Sequence, residues 1–176
     1  MSTNSPVTGT SLAISTWAVL GVSALLINAI VRLAPMALEP LTAASGPSLA
    51  VLAAYLVSIV GLGYSEGYRG FQRSFAPRAA VRSRAVADAP VLIKVFAPFM
   101  AMGLIHATRR RLIAAWSLVT MVVGFILVVR LMPQPWRGAV DAGVVVGLSW
   151  GVIALLVNWW AVIQGRGPEV EADLPD

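Results

Sequence analysis

The chain has 176 residues, of which 58% are hydrophobic and 12% are charged, whereas a soluble domain is about 45–50% apolar and about 25% charged. This composition excludes an ordinary soluble domain and is typical of a chain that a lipid bilayer solvates. The net charge is +5, but because the basic residues flank apolar runs, we expect anionic lipid headgroups as their counter-charge and no nucleic acid. The absence of cysteine excludes disulfides and thiol catalysis.

Four apolar runs are each about as long as the roughly 20 residues that a helix needs to cross a bilayer. They predict an all-α integral membrane helical bundle with four transmembrane helices, and together they form one transmembrane domain over 12–164. A short cytoplasmic N-terminus (1–11) without the basic start of a signal peptide precedes it. An acidic tail (165–176) is expected to be disordered. The predicted spans are about 12–31, 48–66, 112–132 and 139–163.

A fifth apolar segment, 90–107, decides the topology. If it crossed the membrane, the five arginines between positions 69 and 84 would face the three at 109–111 from opposite sides, against the positive-inside bias. The sequence therefore predicts a re-entrant or surface-lying helix over 90–107, inside a basic cytoplasmic segment of residues 67–111. A crossing segment is the alternative. With four spans both termini are cytoplasmic, in the bacterial cytoplasmic (inner) membrane or a related internal membrane.

An aromatic pattern follows the second span. Four rings recur at steps of four, three and four residues, which is one face of an α-helix, and two arginines occupy a neighbouring face until Pro77, which is predicted to end the helix. Together with the later arginine triplet, this face is predicted to contact lipid headgroups or a partner protein. Its residues are Tyr64, Tyr68, Arg69, Phe71, Arg73, Phe75, Arg109, Arg110 and Arg111.

Glycine recurs at every fourth position of the fourth span, at Gly143, Gly147 and Gly151. Without side chains there, another helix can approach closely, and van der Waals contact then replaces the hydrophobic drive that is missing in lipid. This glycine zipper predicts tight helix packing. The first span, with Gly21 at a compatible step, is the favoured neighbour, and another membrane protein or a second copy of the chain is the alternative.

Three charged residues lie at or near the ends of spans. Arg130 and Asp141 flank the turn "MPQPWRG" and are predicted to form a structural ion pair, with a transport gate as the alternative. Glu66 closes the second span. It is a candidate functional carboxylate for proton coupling, although neutralisation by Arg69 and Arg73 on the same helix is the simpler interpretation.

Chemistry-bearing residues are sparse. His106 is the one histidine and could ligate haem or chlorophyll, but local hydrogen bonding is the favoured role, so no metal site and no cofactor are predicted. A lipid-modifying enzyme would need a convergent set of catalytic side chains at the cytoplasmic boundary, and the candidates there are Glu66, Asp88 and His106 alone. The sequence also contains no nucleophile elbow and no phosphate-binding loop. An enzyme is therefore not expected.

A resemblance to known proteins is seen in three segments: "YSEGYRGFQRSFAPR", "GLIHATRRRLI" and "PQPWRGAVDAGVVVGLSWG". They resemble a family of small uncharacterised multipass membrane proteins from bacteria, cyanobacteria among them, over about residues 55–153. The resemblance implies a multipass membrane fold and brings no activity, cofactor or site residue with it.

The sequence thus predicts a non-catalytic inner-membrane protein, an accessory or scaffold subunit that packs against a larger membrane protein complex. Close-packing glycines, an interfacial aromatic face and few polar groups within the spans favour association over chemistry. A small oligomeric transporter or channel is the first alternative. A pigment- or haem-binding subunit, which would depend on His106, is the second.

Overall fold

The computed structural model describes residues 9–44, 46–86 and 90–173, so Asp88 and most of the short N-terminus lie outside the described chain. Within these residues the backbone is helical or irregular and contains no β-strand. The helices, in chain order, are α1 (Gly9–Thr42), α2 (Leu49–Leu62), the π-helix π1 (Gly63–Phe75), α3 (Ala76–Ala85), α4 (Val91–Val95), α5 (Ala97–Ala101), α6 (Arg109–Arg130) and α7 (Trp136–Ile163).

Four helical stretches of the described chain are long and apolar enough to cross a membrane: Gly9–Thr42, Leu49–Ala85, Arg109–Arg130 and Trp136–Ile163. The prediction of an all-α fold with four candidate spans is confirmed. α7 is the central helix, because α1, α2, π1 and α3 all pack against it.

The first helix is longer than predicted. α1 has 34 residues and continues through Pro35 and Pro40, which makes it about 51 Å long at 1.5 Å per residue. Pro40 has no N–H to donate to the carbonyl four residues earlier, which is that of Met36. The Gln134 side-chain amide donates to this carbonyl instead, at 3.2 Å. A neighbouring segment therefore satisfies the acceptor that the proline leaves free.

The second helix also continues beyond its predicted end. α2, π1 and α3 form one rod, in which Pro77 occupies the first turn of α3 instead of ending the helix. Proline fits there because its fixed φ is that of a helix, and it costs the continuous rod only the one hydrogen bond that an N–H at position 77 would donate to the preceding turn. In π1 the hydrogen bonds span five residues, as in the bond from the Ala76 N–H to the Phe71 carbonyl, and such wide turns are rare over this length.

One end of the bundle, here called the basic end, contains the larger core. Side chains from the N-terminal half of α1, from α3, from α5 and from the C-terminal half of α7 meet there. Ser15 in α1 links two of these helices, since its hydroxyl lies 2.8 Å from the Ser83 hydroxyl and accepts a hydrogen bond from the Trp159 indole at 3.1 Å. The buried members of the core are Ala18, Val19, Val22, Ala76, Ala79, Val86, Ala97, Met100, Ala101, Ala154 and Leu155.

The opposite end is smaller and is formed by the end of α1 and the starts of α2 and α7. Val51, Tyr55 and Ala139 form its buried cluster. The Tyr55 hydroxyl donates to the Ala37 carbonyl at 2.6 Å, so the polar atom of this buried ring is satisfied within the bundle.

The segment predicted as one helix over 90–107 is two short helices and a turn. α4 and α5 have five residues each, about 7.5 Å of helix apiece, so neither crosses a 30 Å core. α5 is buried against α1 and α3, and the Trp17 indole donates to the Val95 carbonyl at 3.2 Å. The segment therefore lies at the basic end of the bundle.

α6 stands apart from the rest of the bundle. It contacts other long helices sparsely, through α7, and Ala115 and Val129 are its buried residues. Large apolar side chains are exposed along most of its length, from Ile113 to Val128.

Candidate functional site

The glycines of α7 contact the second helical rod. A Cβ at position 143 would collide with the Ser58 side chain and backbone, at 147 it would lie 3.3 Å from the Glu66 Cβ, and at 151 it would lie 2.7 Å from the Phe71 ring. The rod formed by α2, π1 and α3 also has glycine at this contact. A Cβ at Gly67 would lie 3.1 Å from the Trp150 Cβ. Helix backbones therefore approach closely along this contact.

The neighbour of these glycines differs from the one expected. The sequence favoured the first span through Gly21, but the glycine side of α7 faces α2 and π1. Gly21 lies instead against the Pro98 ring of α5, so closely that an added Cβ would overlap with the ring carbons. The absence of a side chain at position 21 thus makes room for the short helices of the basic end.

The predicted aromatic face is divided in two, which corrects the expectation of one continuous surface. Tyr64 is exposed and stacks on Tyr68 with ring centroids 5.8 Å apart. Phe71 covers Gly151 and meets Phe75 edge-on at 5.5 Å. The steps of four, three and four keep one face only at 3.6 residues per turn, and the wider π turn rotates the phenylalanines away from the tyrosines.

The polar residues of π1 face outward. Arg69 and Arg73 are exposed, and the Arg73 guanidinium lies 5.5 Å from the Tyr68 ring centroid, a cation–π distance. Glu66 is exposed and forms no ion pair within the described chain, where the two ion pairs belong to other residues. The expected ion pair between Glu66 and Arg69 or Arg73 is therefore not formed.

The predicted pair between Arg130 and Asp141 is also not formed. Asp141 is buried, and its Oδ2 lies 3.5 Å from Nε of Arg137, one turn earlier on α7. Arg130 is exposed at the end of α6, which contacts α7 only sparsely. An arginine four residues away on the same helix reaches the carboxylate without any need for the two helices to meet.

His106 lies in the turn between α5 and α6. Its backbone has φ +48° and its side chain is exposed. Within the described residues no group of three or more His, Cys, Asp or Glu side chains is arranged to hold a metal ion. The exposed arginines Arg109 and Arg110 follow it at the start of α6.

A buried arginine at the basic end was not predicted. Arg82 in α3 has a side chain only 1% exposed. Its Nε donates to the Ala172 carbonyl at 2.7 Å, and its Nη2 donates to Oδ2 of Asp173 at 2.7 Å. The tail predicted to be disordered is irregular in shape up to Asp173, but these two residues are bound to α3.

Two further arginines surround this contact. Arg82 Nη1 and Arg111 Nε both lie beside Gly103, where an added Cβ would be 2.8 and 2.9 Å from them. Neither nitrogen has a hydrogen-bond acceptor within the described chain. Arg78, one turn before Arg82, donates to the Ser74 hydroxyl at 3.0 Å and adds to the local positive charge. We call Arg78, Arg82 and Arg111 the arginine cluster.

The arginine cluster brings together the two arginine-rich stretches of the sequence, residues 69–84 and 109–111. Arg82 belongs to the first stretch and Arg111 to the second, and both flank the same glycine. The Thr108 N–H donates to the Asp173 carbonyl at 2.9 Å, so the tail contacts α3 and the start of α6 together. The spacing of Arg78 and Arg82 placed both on one helix face, but the sequence contained no signal for the burial of Arg82.

No protein-family model, curated protein or solved structure matches the chain. A functional proposal for this chain therefore depends on its own geometry.

Proposed function

We propose that the chain is a non-catalytic accessory or scaffold subunit of a larger membrane protein complex, and that α6 is the helix that docks on the partner. The proposal includes the topology derived from the sequence, with both termini and the basic end in the cytoplasm of a bacterial inner membrane. Exposed arginines at the basic end contact anionic headgroups.

The observation that supports docking is a line of small residues on the outer side of α6. Ser117, Thr120 and Gly124 are exposed, and a Cβ at Gly124 would meet nothing within 4 Å. At 3.6 residues per turn they lie on one side of α6, roughly opposite to Ala115, which is buried in the bundle. We call these three residues the outer stripe.

The outer stripe has the chemistry that helix association in lipid requires. Small residues let two backbones approach, and close van der Waals contact stabilises the pair where no hydrophobic drive exists. The Thr120 hydroxyl donates to the Trp116 carbonyl at 3.0 Å, so the stripe has no unsatisfied hydroxyl at that position. The glycines of α7 use the same kind of surface inside the chain, whereas the outer stripe faces away from it.

The test compares two glycines that are equally open. Gly124 in α6 and Gly61 in α2 both have nothing within 4 Å of an added Cβ. After gentle extraction from native membranes, we expect the wild-type chain to co-migrate with a larger membrane protein in fixed stoichiometry. Gly124→Leu should release the chain from that assembly, and Gly61→Leu should leave it intact.

Other outcomes contradict the proposal. An assembly made only of copies of this chain would favour the small transporter or channel. Equal retention of the partner by Gly124→Leu and Gly61→Leu would exclude docking through the outer stripe. A visible absorption band of the purified protein that disappears in His106→Ala would favour the pigment- or haem-binding subunit.

A further inference from the structure

The arginine cluster has more positive charge and more donors than its internal partner can satisfy. Three guanidinium groups lie near one carboxylate, and Asp173 offers a single oxygen to Arg82. Arg82 Nη1 and Arg111 Nε remain without an acceptor in the part of the chain that the structure describes. Buried donors without partners are costly, and like charges that converge repel one another.

With α6 as a membrane span, the arginine cluster lies at the depth of a lipid headgroup. Trp116 follows Arg111 by five residues on α6, about 7.5 Å along the helix. Its indole donates to the Leu104 carbonyl at 3.2 Å while more than half of the residue stays exposed. Tryptophans of this kind mark the membrane interface, so an α6 that spans the bilayer enters the phosphate layer at Arg111.

We propose that the arginine cluster is a binding site for the phosphate group of an acidic phospholipid, and that the Asp173 carboxylate occupies this site when no such lipid is bound. A phosphate offers several oxygen acceptors, and the planar fork of arginine matches it with paired hydrogen bonds. Phosphatidylcholine carries the same phosphate, but its choline ammonium leaves the headgroup without net charge, so the excess positive charge of the arginine cluster favours an anionic headgroup. The lipid phosphate satisfies the free donors of Arg82 and Arg111, which one carboxylate oxygen cannot reach. Binding of the lipid therefore releases the tail from Arg82.

Two features make the tail exchangeable. Asp173 has a side chain 28% exposed, unlike Arg82, and residues 166–173 have no helix or strand to anchor them. Among the described residues, the hydrogen bonds that attach residues 172 and 173 to the bundle are the two from Arg82 and the one from the Thr108 N–H. This inference requires a membrane location but no partner at the outer stripe, so the two proposals fail independently.

The chain contains no cysteine, so two introduced cysteines carry spin labels without background. We choose the exposed positions Glu171→Cys in the tail and Arg109→Cys on α6, in the full-length protein. In nanodiscs of phosphatidylcholine alone, we expect one short label-to-label distance. Nanodiscs that also contain phosphatidylglycerol should give a longer and broader distribution.

A matched pair of variants separates a specific site from surface charge. Arg110 and Arg111 are neighbours, but Arg110 is exposed and lies outside the arginine cluster. Arg111→Gln should abolish the shift caused by phosphatidylglycerol, and Arg110→Gln should retain it although it removes the same charge. Equal loss in both variants, or no shift in the parent protein, would overturn the proposal.

Inorganic phosphate added to phosphatidylcholine nanodiscs distinguishes the source of the anion. An unchanged distance supports a lipid headgroup, and a shift equal to that with phosphatidylglycerol overturns the lipid assignment. A second measurement does not depend on the folding of an arginine variant. Asp173→Ala should retain more copies of phosphatidylglycerol in native mass spectrometry than the parent protein, and an equal or smaller number contradicts the proposed exchange.

Discussion

The Phe71 ring lies directly on the backbone of Gly151, so that a Cβ at position 151 would be 2.7 Å from the ring carbons Cγ and Cδ1. This contact joins the π-helix to the central helix α7. It shows why the wide turn and the glycines occur together: the turn directs the ring inward, and the glycine gives it space. Both features are needed for α7 to pack closely along this part of the second rod.

Gly151→Ala should destabilise the protein because the new methyl group overlaps with Phe71. Overpacking of this kind costs about 1–3 kcal/mol. Gly124→Ala is the control, since that helical glycine has open space and alanine is favoured over glycine in helices by about 1 kcal/mol. Thermal unfolding in detergent should show a lower midpoint for the first variant and an equal or higher one for the second. Equal midpoints would mean that the Phe71 contact does not constrain position 151.

Gly103→Ala should be more harmful than Gly165→Ala. Both glycines have a positive φ, +77° and +73°, so both substitutions carry the same backbone penalty of about 1–2 kcal/mol. Only at position 103 does the Cβ also lie within 3 Å of two guanidinium nitrogens, whereas Gly165 is open. Chemical denaturation of both variants measures the extra loss of stability that comes from the contact with the arginine cluster. Equal losses of stability in the two variants would disprove that this contact constrains position 103.

Removal of the Asp173 carboxylate should destabilise the folded chain in neutral lipid. Arg82 is buried and would lose the one anionic partner that it has among the described residues, at a cost of about 1–3 kcal/mol. Arg82→Met in the same chain should restore most of the loss, because an apolar side chain of similar length needs no counter-charge. A double variant less stable than Asp173→Ala alone would show that Arg82 has another source of stabilisation.

Arg137→Gln should lower stability more than Arg130→Gln. Asp141 is buried and faces Arg137, and loss of the partner leaves a charge in an apolar environment, at a cost of about 1–3 kcal/mol. Arg130 is exposed, and surface substitutions usually change stability by less than about 0.5 kcal/mol. The two unfolding midpoints test the assignment, and the reverse order would restore the pair predicted from the sequence.

Positions 73 and 110 should lie on the same side of the membrane. Arg82 and Arg111, which flank Gly103 together, place the two basic stretches at one end of the bundle. Single cysteines at 73 and 110 should both react with an impermeant maleimide only after the cells are permeabilised. Labelling of just one of the two in intact cells would contradict this topology and with it the cytoplasmic basic end.

The sequence located the four apolar helices because their length and composition follow from the thickness of a bilayer, a constraint that acts on each segment by itself. It also identified the glycines of α7 as a close contact, but it assigned the wrong neighbour. Periodicity shows which side of a helix is small and contains no information about which other helix lies there.

Helix ends were predicted less well where proline was involved. Pro35, Pro40 and Pro77 all lie within helical rods. At Pro40 the carbonyl left without a helical donor, that of Met36, accepts a hydrogen bond from the Gln134 amide, and no local pattern in the sequence signals such a distant donor. The division of the aromatic face had a similar origin, since the α-helical period used to read the pattern does not apply to the π-helix.

The sequence by itself determined that this is a chain of apolar helices with its arginines gathered around one doubtful segment, since hydropathy and charge are properties of each residue. Only the tertiary structure decided that Arg82 is buried, that Asp173 is its partner from 91 residues away and that α6 stands apart. Such pairings depend on how distant segments meet in space. A local pattern along the chain does not encode them.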